Sequence, residues 1–223
     1  MSRLIVVDFD GTITERDTLD EMCRIYAPEA WAAAENDLQT RTMTLREVIA
    51  AEFAPIRGDH DTIVAETVDR ARVRAGFAEF VRAAEDAGDR IVVVSSGFAS
   101  VIRPILEREG LDHLEVVAHD VRFTPEGGIV DFRHGEPCPV CGEECKRSVV
   151  DSMRDGREVA YIGDGYSDRC AAQAADIRFA RRSLASYLDG EGVGYTSFDD
   201  FTTVRDELLG PGAGPGPSDR SVA

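Results

Sequence analysis

Carboxylates and a hydroxyl follow three apolar stretches of the sequence. Asp8 and Asp10 follow the first stretch, and Ser95 ends the second. Asp164 and Asp168 follow the third. Carboxylates that converge repel each other unless a cation joins them, and an oxygen-only ligand set suits Mg²⁺. A carboxylate neutralised in this way can attack phosphorus, while a second one exchanges a proton with the leaving oxygen and with water. These residue types therefore predict phosphoryl chemistry.

The elements that must position these residues are strands. Residues 3–8, 90–95 and 158–163 are apolar runs rich in Val and Ile, which is typical of strands buried on both faces of a parallel sheet. Open α/β sheets bind ligands beyond the carboxyl ends of their strands. A strand-to-helix turn explains any one of these ends, since Asp, Ser and Gly are common in turns and helix caps. The three ends together favour a ligand site.

The sequence divides into a core, an insert and a tail. Residues 15–74 lose the strand pattern and carry apolar residues at helical spacing. We therefore predict an α/β fold with a Rossmann-like parallel sheet core, residues 1–14 and 75–209, and a small helical cap inserted after the first strand. Residues 210–223 are rich in Gly and Pro, and this composition predicts a disordered tail.

The composition argues against two classes of partner. The 223 residues include 25 Lys and Arg against 42 Asp and Glu, which gives a formal net charge of −17. Such a chain repels phosphate backbones and anionic lipid, so we expect no nucleic-acid or membrane partner. The apolar runs are too short for a signal peptide or a membrane span. We expect a cytoplasmic protein that is a monomer or a homodimer.

The basic residues are 24 Arg and a single Lys, Lys146. A compact ammonium on a flexible stem can contact a nucleophile and phosphoryl oxygens together, whereas a guanidinium is a planar fork. Lys146 is therefore a candidate catalytic residue. The alternative is that one lysine survived by chance on a helix surface under a coding bias against Lys and Asn.

Four motifs, in order, resemble those of the haloacid-dehalogenase-like phosphatases. The first is DFDGTIT at residues 8–14, and the second is Ser95 after a Val-rich run. The third is Lys146 before a helical pattern, and the fourth is GDGYSD at residues 163–168. The helical insert between the first two motifs is similar to that of the phosphoserine-phosphatase-like subgroup. The resemblance implies Mg²⁺ as cofactor and a small phosphorylated metabolite as substrate.

Less specific features resemble phosphatases of the methionine-salvage type, which act on 2-hydroxy-3-keto-5-methylthiopentenyl-1-phosphate. They are YAP at residues 26–28 with Trp31, RAGF at 74–77, the cysteines before Lys146 and FAR at 179–181.

The resemblance implies a role for each matching residue. Asp8 is the nucleophile, and Asp10 is the general acid and base. Ser95 and Lys146 hold the phosphoryl group. Mg²⁺ is bound by Asp164, by the Asp8 carboxylate and by the backbone carbonyl of Asp10.

Four further residues complete the implied site. Asp168 supports either the metal or Lys146. Thr12 contributes to phosphate binding or to loop geometry. Ser96 and Gly97 follow the motif serine and offer backbone donors to the substrate. Ser96 replaces a glycine common at this position in the family, which leaves its backbone N–H intact.

Asp17 leaves the substrate open. It lies where phosphoserine phosphatases carry a Glu that binds the substrate's amino group, and the shorter side chain argues against phosphoserine. The alternative is an ordinary acidic residue at a helix N-terminus. Phosphoserine or another small ester stays an alternative substrate. A phospho-receiver domain or a non-catalytic phosphate-binding protein is the rival from another class, although none of the four motifs is broken.

The segment before Lys146 predicts a second metal site. His134, Cys138, Cys141 and Cys145 have the pattern H-x3-C-x2-C-x3-C. Four nitrogen and sulfur ligands at short spacing suit a tetrahedral structural Zn²⁺. The alternative is a reduced surface loop.

Overall fold

The centre of the fold is a mostly parallel sheet. The computed structural model describes residues 2–33, 43–133 and 137–211. Its strands are β1 (Leu4–Val7), β2 (Arg90–Phe98), β3 (Glu115–Phe123), β4 (Gly128–Asp131), β5 (Val159–Gly163), β6 (Ile177–Ala180) and β7 (Thr196–Ser197). They form one sheet in the order β4-β3-β2-β1-β5-β6-β7, in which β4 runs antiparallel to β3.

Strand β1 lies in the middle of this sheet. Leu4 pairs in parallel with Arg90 of β2 on one side and with Val159 of β5 on the other. All residues of β1 are buried, and alternate residues belong to two apolar clusters. A strand covered on both faces has no polar side, which explains its unbroken apolar sequence. The carboxyl ends of β1, β2 and β5 therefore lie along one edge of the sheet.

The three predicted strands are present, with one notable difference. Strand β2 continues to Phe98, three residues beyond its predicted end, and its pairing with β3 shifts between Val94 and Phe98. Residues 95–97 are turn-forming types, and a strand-to-helix turn is the alternative explanation for them when they are taken alone. Instead the Ser95 hydroxyl accepts the backbone N–H of Gly97 at 2.8 Å, so the side chain supports an irregular extended segment.

Helices pack around the sheet. In the described parts of the chain they are α1 (Thr18–Tyr26), α2 (Leu45–Phe53), α3 (His60–Arg70), α4 (Phe77–Asp86), α5 (Ala99–Arg108), α6 (Lys146–Met153), α7 (Arg169–Ala174), α8 (Arg182–Glu191) and α9 (Phe201–Leu209). Residues 28–33 are also helical. None of the helices in these ranges is both long and apolar enough to cross a membrane.

Helices α1 to α3 follow β1 and precede β2, so the predicted α/β fold with a helical insert after the first strand is confirmed. Asp17, Thr44 and Asp59 begin these helices, and each side chain accepts a backbone N–H of the first turn. The predicted boundaries of the cap, residues 15–74, stay a prediction. Residues 212–223 of the predicted tail lie outside the described residues.

The insert and the sheet share an apolar cluster around Phe53. Phe53 ends α2 and is fully buried. Its ring centroid lies 4.6 Å from that of Phe98 in an edge-on arrangement, and 6.5 Å from that of Phe123. Edge-on aromatic pairs stabilise beyond the area they bury. Helix α2 is thereby fixed against the end of β2.

Truncation of Phe53 tests this contact. Phe53→Ala removes a buried ring and leaves a cavity, so we expect the free energy of unfolding in urea to fall by about 3–5 kcal/mol. Ile25→Ala removes an apolar side chain that is 47% exposed, and we expect a change of about 0.5 kcal/mol or less. Equal losses in the two variants would contradict a shared cluster.

Candidate active site

A buried ammonium joins two carboxylates at the ends of β1 and β5. Lys146 is the first residue of α6. Its Nζ contacts Asp8 Oδ1 and lies 2.7 Å from Asp168 Oδ1. The three side chains are at most 5% exposed. Burial alone would lower the pKa of Lys146, but Asp168 and Asp8 outweigh it and raise the pKa, so Lys146 is a cation beside the predicted nucleophile.

Negative charge is in excess around this ammonium. Burial and the nearby Asp168 raise the pKa of Asp8 well above its usual range, although Lys146 opposes the shift. Burial and Asp168 also raise the pKa of Asp164, to about 6. Shifts of this direction mean that the protein's own cations do not fully balance the carboxylates. An added cation between Asp8 and Asp164 would lower both pKa values.

Asp168 uses both of its oxygens on protein donors. Oδ1 accepts from Lys146 Nζ at 2.7 Å and from the Tyr161 hydroxyl at 2.8 Å. Oδ2 accepts the backbone N–H groups of Asp164 and Gly165, each at 2.9 Å. Asp168 therefore fixes both Lys146 and the loop after β5. Of its two predicted roles, this geometry favours support of Lys146 over direct binding of the metal.

The Asp10 carboxylate is held from two sides. Its Oδ1 accepts the hydroxyl and, at 3.0 Å, the backbone N–H of Thr18, the first residue of α1. Its Oδ2 accepts the Ser95 hydroxyl at 3.3 Å. A Cβ at Gly97 would clash with Asp10 Oδ2, so glycine lets β2 approach this carboxylate. Burial raises the pKa of Asp10 even though these hydrogen bonds oppose it, which suits a group that carries a proton.

The loop between Asp8 and α1 is fixed by Arg74, which is 9% exposed. Its guanidinium donates to the backbone carbonyls of Gly11, Thr12 and Thr14 at 2.9–3.0 Å, and to that of Asp199 at 3.2 Å. Burial lowers the pKa of Arg74 to about 10, which leaves it protonated at neutral pH. One buried cation thus satisfies carbonyls that a helix or strand would otherwise pair.

Asp164 lies against the same loop. Arg182 Nη1 is 3.3 Å from Asp164 Oδ2, and Arg182 Nη2 donates to the carbonyl of Glu15 at 3.2 Å. Arg182 has a φ of 47°, a conformation uncommon for residues other than glycine. Gly11 has a φ of 76°, and a Cβ there would clash with Asp164 Oδ2. Glycine at this position is what allows the first and fourth motifs to meet.

Asp8, Asp10, Asp164 and Arg182 line a cavity of about 460 Å³ beneath the insert helices. Thr12 is fully buried behind the cavity, and its hydroxyl has no hydrogen-bond partner among the described residues. Asp17 lines the cavity, and its Oδ1 accepts two backbone N–H groups at the start of α1. Its contact with the substrate stays a prediction. The other predicted residues in the lining are Asp8, Asp10, Ser95, Ser96, Gly97 and Asp164.

Comparison with known proteins decides the family. The sequence profile of the haloacid dehalogenase-like hydrolases matches residues 5–173. This chain belongs to the haloacid dehalogenase-like hydrolase family. The predicted resemblance is confirmed. Because its relatives are named as phosphatases, the hydrolase is a phosphatase.

Two relatives of the hydrolase are named 2-hydroxy-3-keto-5-methylthiopentenyl-1-phosphate phosphatase. The Microcystis aeruginosa protein is 28% identical over 209 residues, which cover 94% of this chain and 99% of the relative. The Exiguobacterium sp. protein is 29% identical over 217 residues, with the same coverage of 94% and 99%. A solved structure of a phospho-aspartyl intermediate analogue of phosphoserine phosphatase aligns with a TM-score of 0.73 at 18% identity, covering 92% of this chain and 98% of the other. That likeness shows a shared fold.

The acidic side chains of the hydrolase fit a magnesium ion. Asp8, Asp164 and Asp168 each place a carboxylate oxygen within 4.8 Å of the others, and an all-oxygen set suits Mg²⁺. Because the oxygens of Asp168 are engaged by protein donors, Asp8 and Asp164 are the better side-chain ligands. The Asp10 carboxylate is also engaged, in agreement with a metal contact through its backbone carbonyl.

Four residues that hold the site's carboxylates or its loop in place were not predicted from the sequence. Thr18 follows a recognised helix-capping aspartate, which was a signal for a helix start but not for a bond to Asp10. Tyr161 places a hydroxyl in an otherwise apolar strand, which is a signal for a buried hydrogen bond. Arg74 begins the RAGF segment, but neither Arg74 nor Arg182 carries a sequence signal for the groups that it contacts.

The predicted zinc ligands of the hydrolase are partly described. Cys138, Cys141 and Cys145 lie together, and Cys170 joins them from α7. His134 lies outside the described residues.

Removal of the Thr18 hydroxyl tests its hold on Asp10. A hydrogen bond to a charged group is worth about 1.5–3 kcal/mol, and about 1.4 kcal/mol is a tenfold change in rate. We expect Thr18→Val to lower kcat by about tenfold or more with KM little changed. Thr62→Val is the matched control, because the Thr62 hydroxyl also donates to an aspartate, Asp59 at 2.7 Å, but on an exposed surface. A kcat equal to that of the control would contradict a positioning role.

Exchange of the lysine tests its chemistry. Lys146→Arg keeps the charge but forces a planar guanidinium into a space closed by Asp8 and Asp168, so we expect kcat to fall by about 100-fold or more. The thermal unfolding midpoint checks that the variant is folded. Arg82→Lys on the exposed face of α4 is the control and should leave kcat unchanged. Near-wild-type kcat in the folded Lys146→Arg protein would show that any cation suffices.

Proposed function

We propose that this phosphatase hydrolyses a small phosphate monoester through a phosphorylated Asp8, with Mg²⁺ as cofactor. The observation that carries the proposal is the placement of Asp8, which ends the central strand, contacts the Lys146 ammonium and opens onto the cavity. A buried carboxylate that only pairs with a lysine does not need to face a cavity. A nucleophile does, because its substrate must reach it.

In the first step, Asp8 attacks phosphorus and the bond to the leaving oxygen breaks. Asp10, with its raised pKa, gives its proton to that oxygen. Lys146 balances negative charge on the phosphoryl oxygens as the group moves to Asp8. Mg²⁺ bound by Asp8 and Asp164 supplies further positive charge to the phosphoryl oxygens when it is present.

In the second step, water attacks the phosphorus bound to Asp8, and the bond between the Asp8 oxygen and phosphorus breaks, which releases inorganic phosphate and restores the Asp8 carboxylate. Asp10, now a carboxylate, takes a proton from that water, so one residue acts first as acid and then as base. Thr18 and Ser95 hold Asp10 in a fixed orientation during both steps. The insert helices cover the cavity and limit its exchange with bulk water.

As the substrate of this reaction we propose 2-hydroxy-3-keto-5-methylthiopentenyl-1-phosphate. Two relatives named for this activity match nearly the full length of the chain. The cap side of the cavity also carries apolar side chains, among them Leu19, Trp31 and Val48. Such a surface suits the apolar methylthio end of this ester better than the charged amino acid part of phosphoserine.

A panel of substrates tests the proposed specificity. Phosphate release is measured with Mg²⁺ for the methionine-salvage ester, for phosphoserine and for several unrelated phosphate esters. We expect kcat/KM to be highest for the methionine-salvage ester, and chelation of Mg²⁺ to abolish turnover. Preference for phosphoserine would overturn the substrate and keep the reaction.

Loss of the nucleophile tests the reaction itself. Asp8→Asn removes the attacking carboxylate, so we expect no turnover of any ester and no phosphate bound to the protein after rapid quenching with labelled substrate. Asp69→Asn makes the same exchange on the exposed surface of α3 and should retain full activity. Turnover by the Asp8→Asn protein would refute the covalent route.

A further inference from the structure

Four cysteines from two separate parts of the chain meet beside the Lys146 site. Cys138, Cys141 and Cys145 lie in the segment before α6, and Cys170 lies in α7. Their sulfur atoms are all within 4.8 Å of one another, and Cys138 Sγ is 3.9 Å from Cys170 Sγ. In a tetrahedral site with Zn–S bonds of about 2.3 Å, neighbouring sulfurs lie about 3.8 Å apart. The sulfurs therefore already surround a volume close to that of one Zn²⁺.

The backbone around Cys138 has the form of a metal-binding turn. The Cys138 carbonyl accepts the N–H of Gly142 at 2.8 Å, and the Cys138 N–H donates to the carbonyl of Glu143 at 2.8 Å. The Val140 N–H points at Cys138 Sγ, 3.4 Å away. Gly142 has a φ of 76°, which closes the turn. Backbone N–H groups directed at a sulfur stabilise a thiolate ligand.

We propose that Cys138, Cys141, Cys145 and Cys170 bind one structural Zn²⁺. The fourth ligand is Cys170 rather than the His134 of the sequence pattern. Each thiol gives its proton to solvent as the thiolate binds, and no oxidant or reductant takes part. The site rests on the cysteine geometry alone and is independent of the proposed phosphatase mechanism.

The surroundings suit the charge of such a site. Four thiolates around Zn²⁺ carry a net charge of about −2. Burial opposes the shift, but Asp151 and Cys170 raise the pKa of Arg147, which follows Lys146 in α6, so a cation lies beside the cluster. Cys138 is buried, Cys141 is exposed, and Cys145 and Cys170 are half-buried. A metal can therefore enter from the Cys141 side and then be covered on the opposite side.

The zinc joins the two segments that hold the catalytic ion pair. Cys145 directly precedes Lys146, and Cys170 lies two residues after Asp168. A metal bound by both cysteines fixes the distance between α6 and α7, and with it the contact of the Lys146 ammonium with Asp168. The adjacent Glu144 also forms an ion pair with Arg46 of α2, so the same segment contacts the insert.

Metal analysis of the full-length protein tests the site. The protein is produced in zinc-supplemented medium, purified with a non-thiol reductant and without chelator, and analysed by mass spectrometry for metals. We expect one zinc per chain. Replacement by Co²⁺ should give the charge-transfer and d–d absorption of a tetrahedral thiolate site.

Three variants separate the possible ligands. Cys170→Ser should lose most of the zinc and lower the thermal midpoint by about 5 °C or more. His134→Ala should keep one zinc per chain. Cys23→Ala removes the cysteine of α1, away from the cluster, and should also keep it.

Three results would overturn the proposal. The first is wild-type protein without zinc and without the cobalt absorption. The second is a disulfide among these cysteines in the reduced preparation. The third is loss of zinc in His134→Ala together with full retention in Cys170→Ser, which would restore the histidine as ligand.

Discussion

The buried Lys146 ammonium is the interaction on which the rest of the site depends. It lies between Asp8 and Asp168 with almost no solvent exposure. A buried charge left without its partner destabilises a protein by about 3–5 kcal/mol, so these side chains are committed to one arrangement. Asp168 in turn accepts hydrogen bonds from the Tyr161 hydroxyl and from two backbone N–H groups of the loop after β5. The position of Asp8, the proposed nucleophile, is therefore set by α6, β5 and the loop that follows β5.

The same arrangement leaves negative charge unbalanced, and that imbalance is functional. The raised pKa values of Asp8 and Asp164 follow from burial and mutual repulsion. Such a site costs stability as an isolated cluster but gains it when a divalent cation arrives. The overall charge of −17 is compatible with the proposed binding of a phosphate ester, because Lys146 and Arg182, together with the proposed Mg²⁺, would supply positive potential locally.

The sequence predicted those parts of the molecule that carry a side-chain pattern. Strand β1 was recognisable because burial on both faces forces an unbroken apolar run, and its terminal carboxylates followed from the topology of parallel sheets. The RAGF segment at 74–77 was noted, but the role of Arg74 was not predictable, because its partners are backbone carbonyls, which any sequence provides. Cys170 was not predicted as a zinc ligand, because all of β5 separates it from Cys145 in the sequence and only the fold brings the two cysteines together. The extension of β2 to Phe98 was not predicted, because Ser95 and Gly97 are residue types that usually end strands.

The central position of β1 has a consequence for biosynthesis. Leu4 pairs with Arg90 and Val159, so the ribosome makes this strand well before either of the strands that pair with it. Until then four aliphatic residues stay unpaired, a kind of surface that promotes aggregation of nascent chains. Distant pairing also slows folding, because a large loop must close before either neighbour stabilises it. A chaperone that shields this segment would hold back the strand that ends at the proposed nucleophile, and a chain that stops before β5 would lack Asp164 and Asp168.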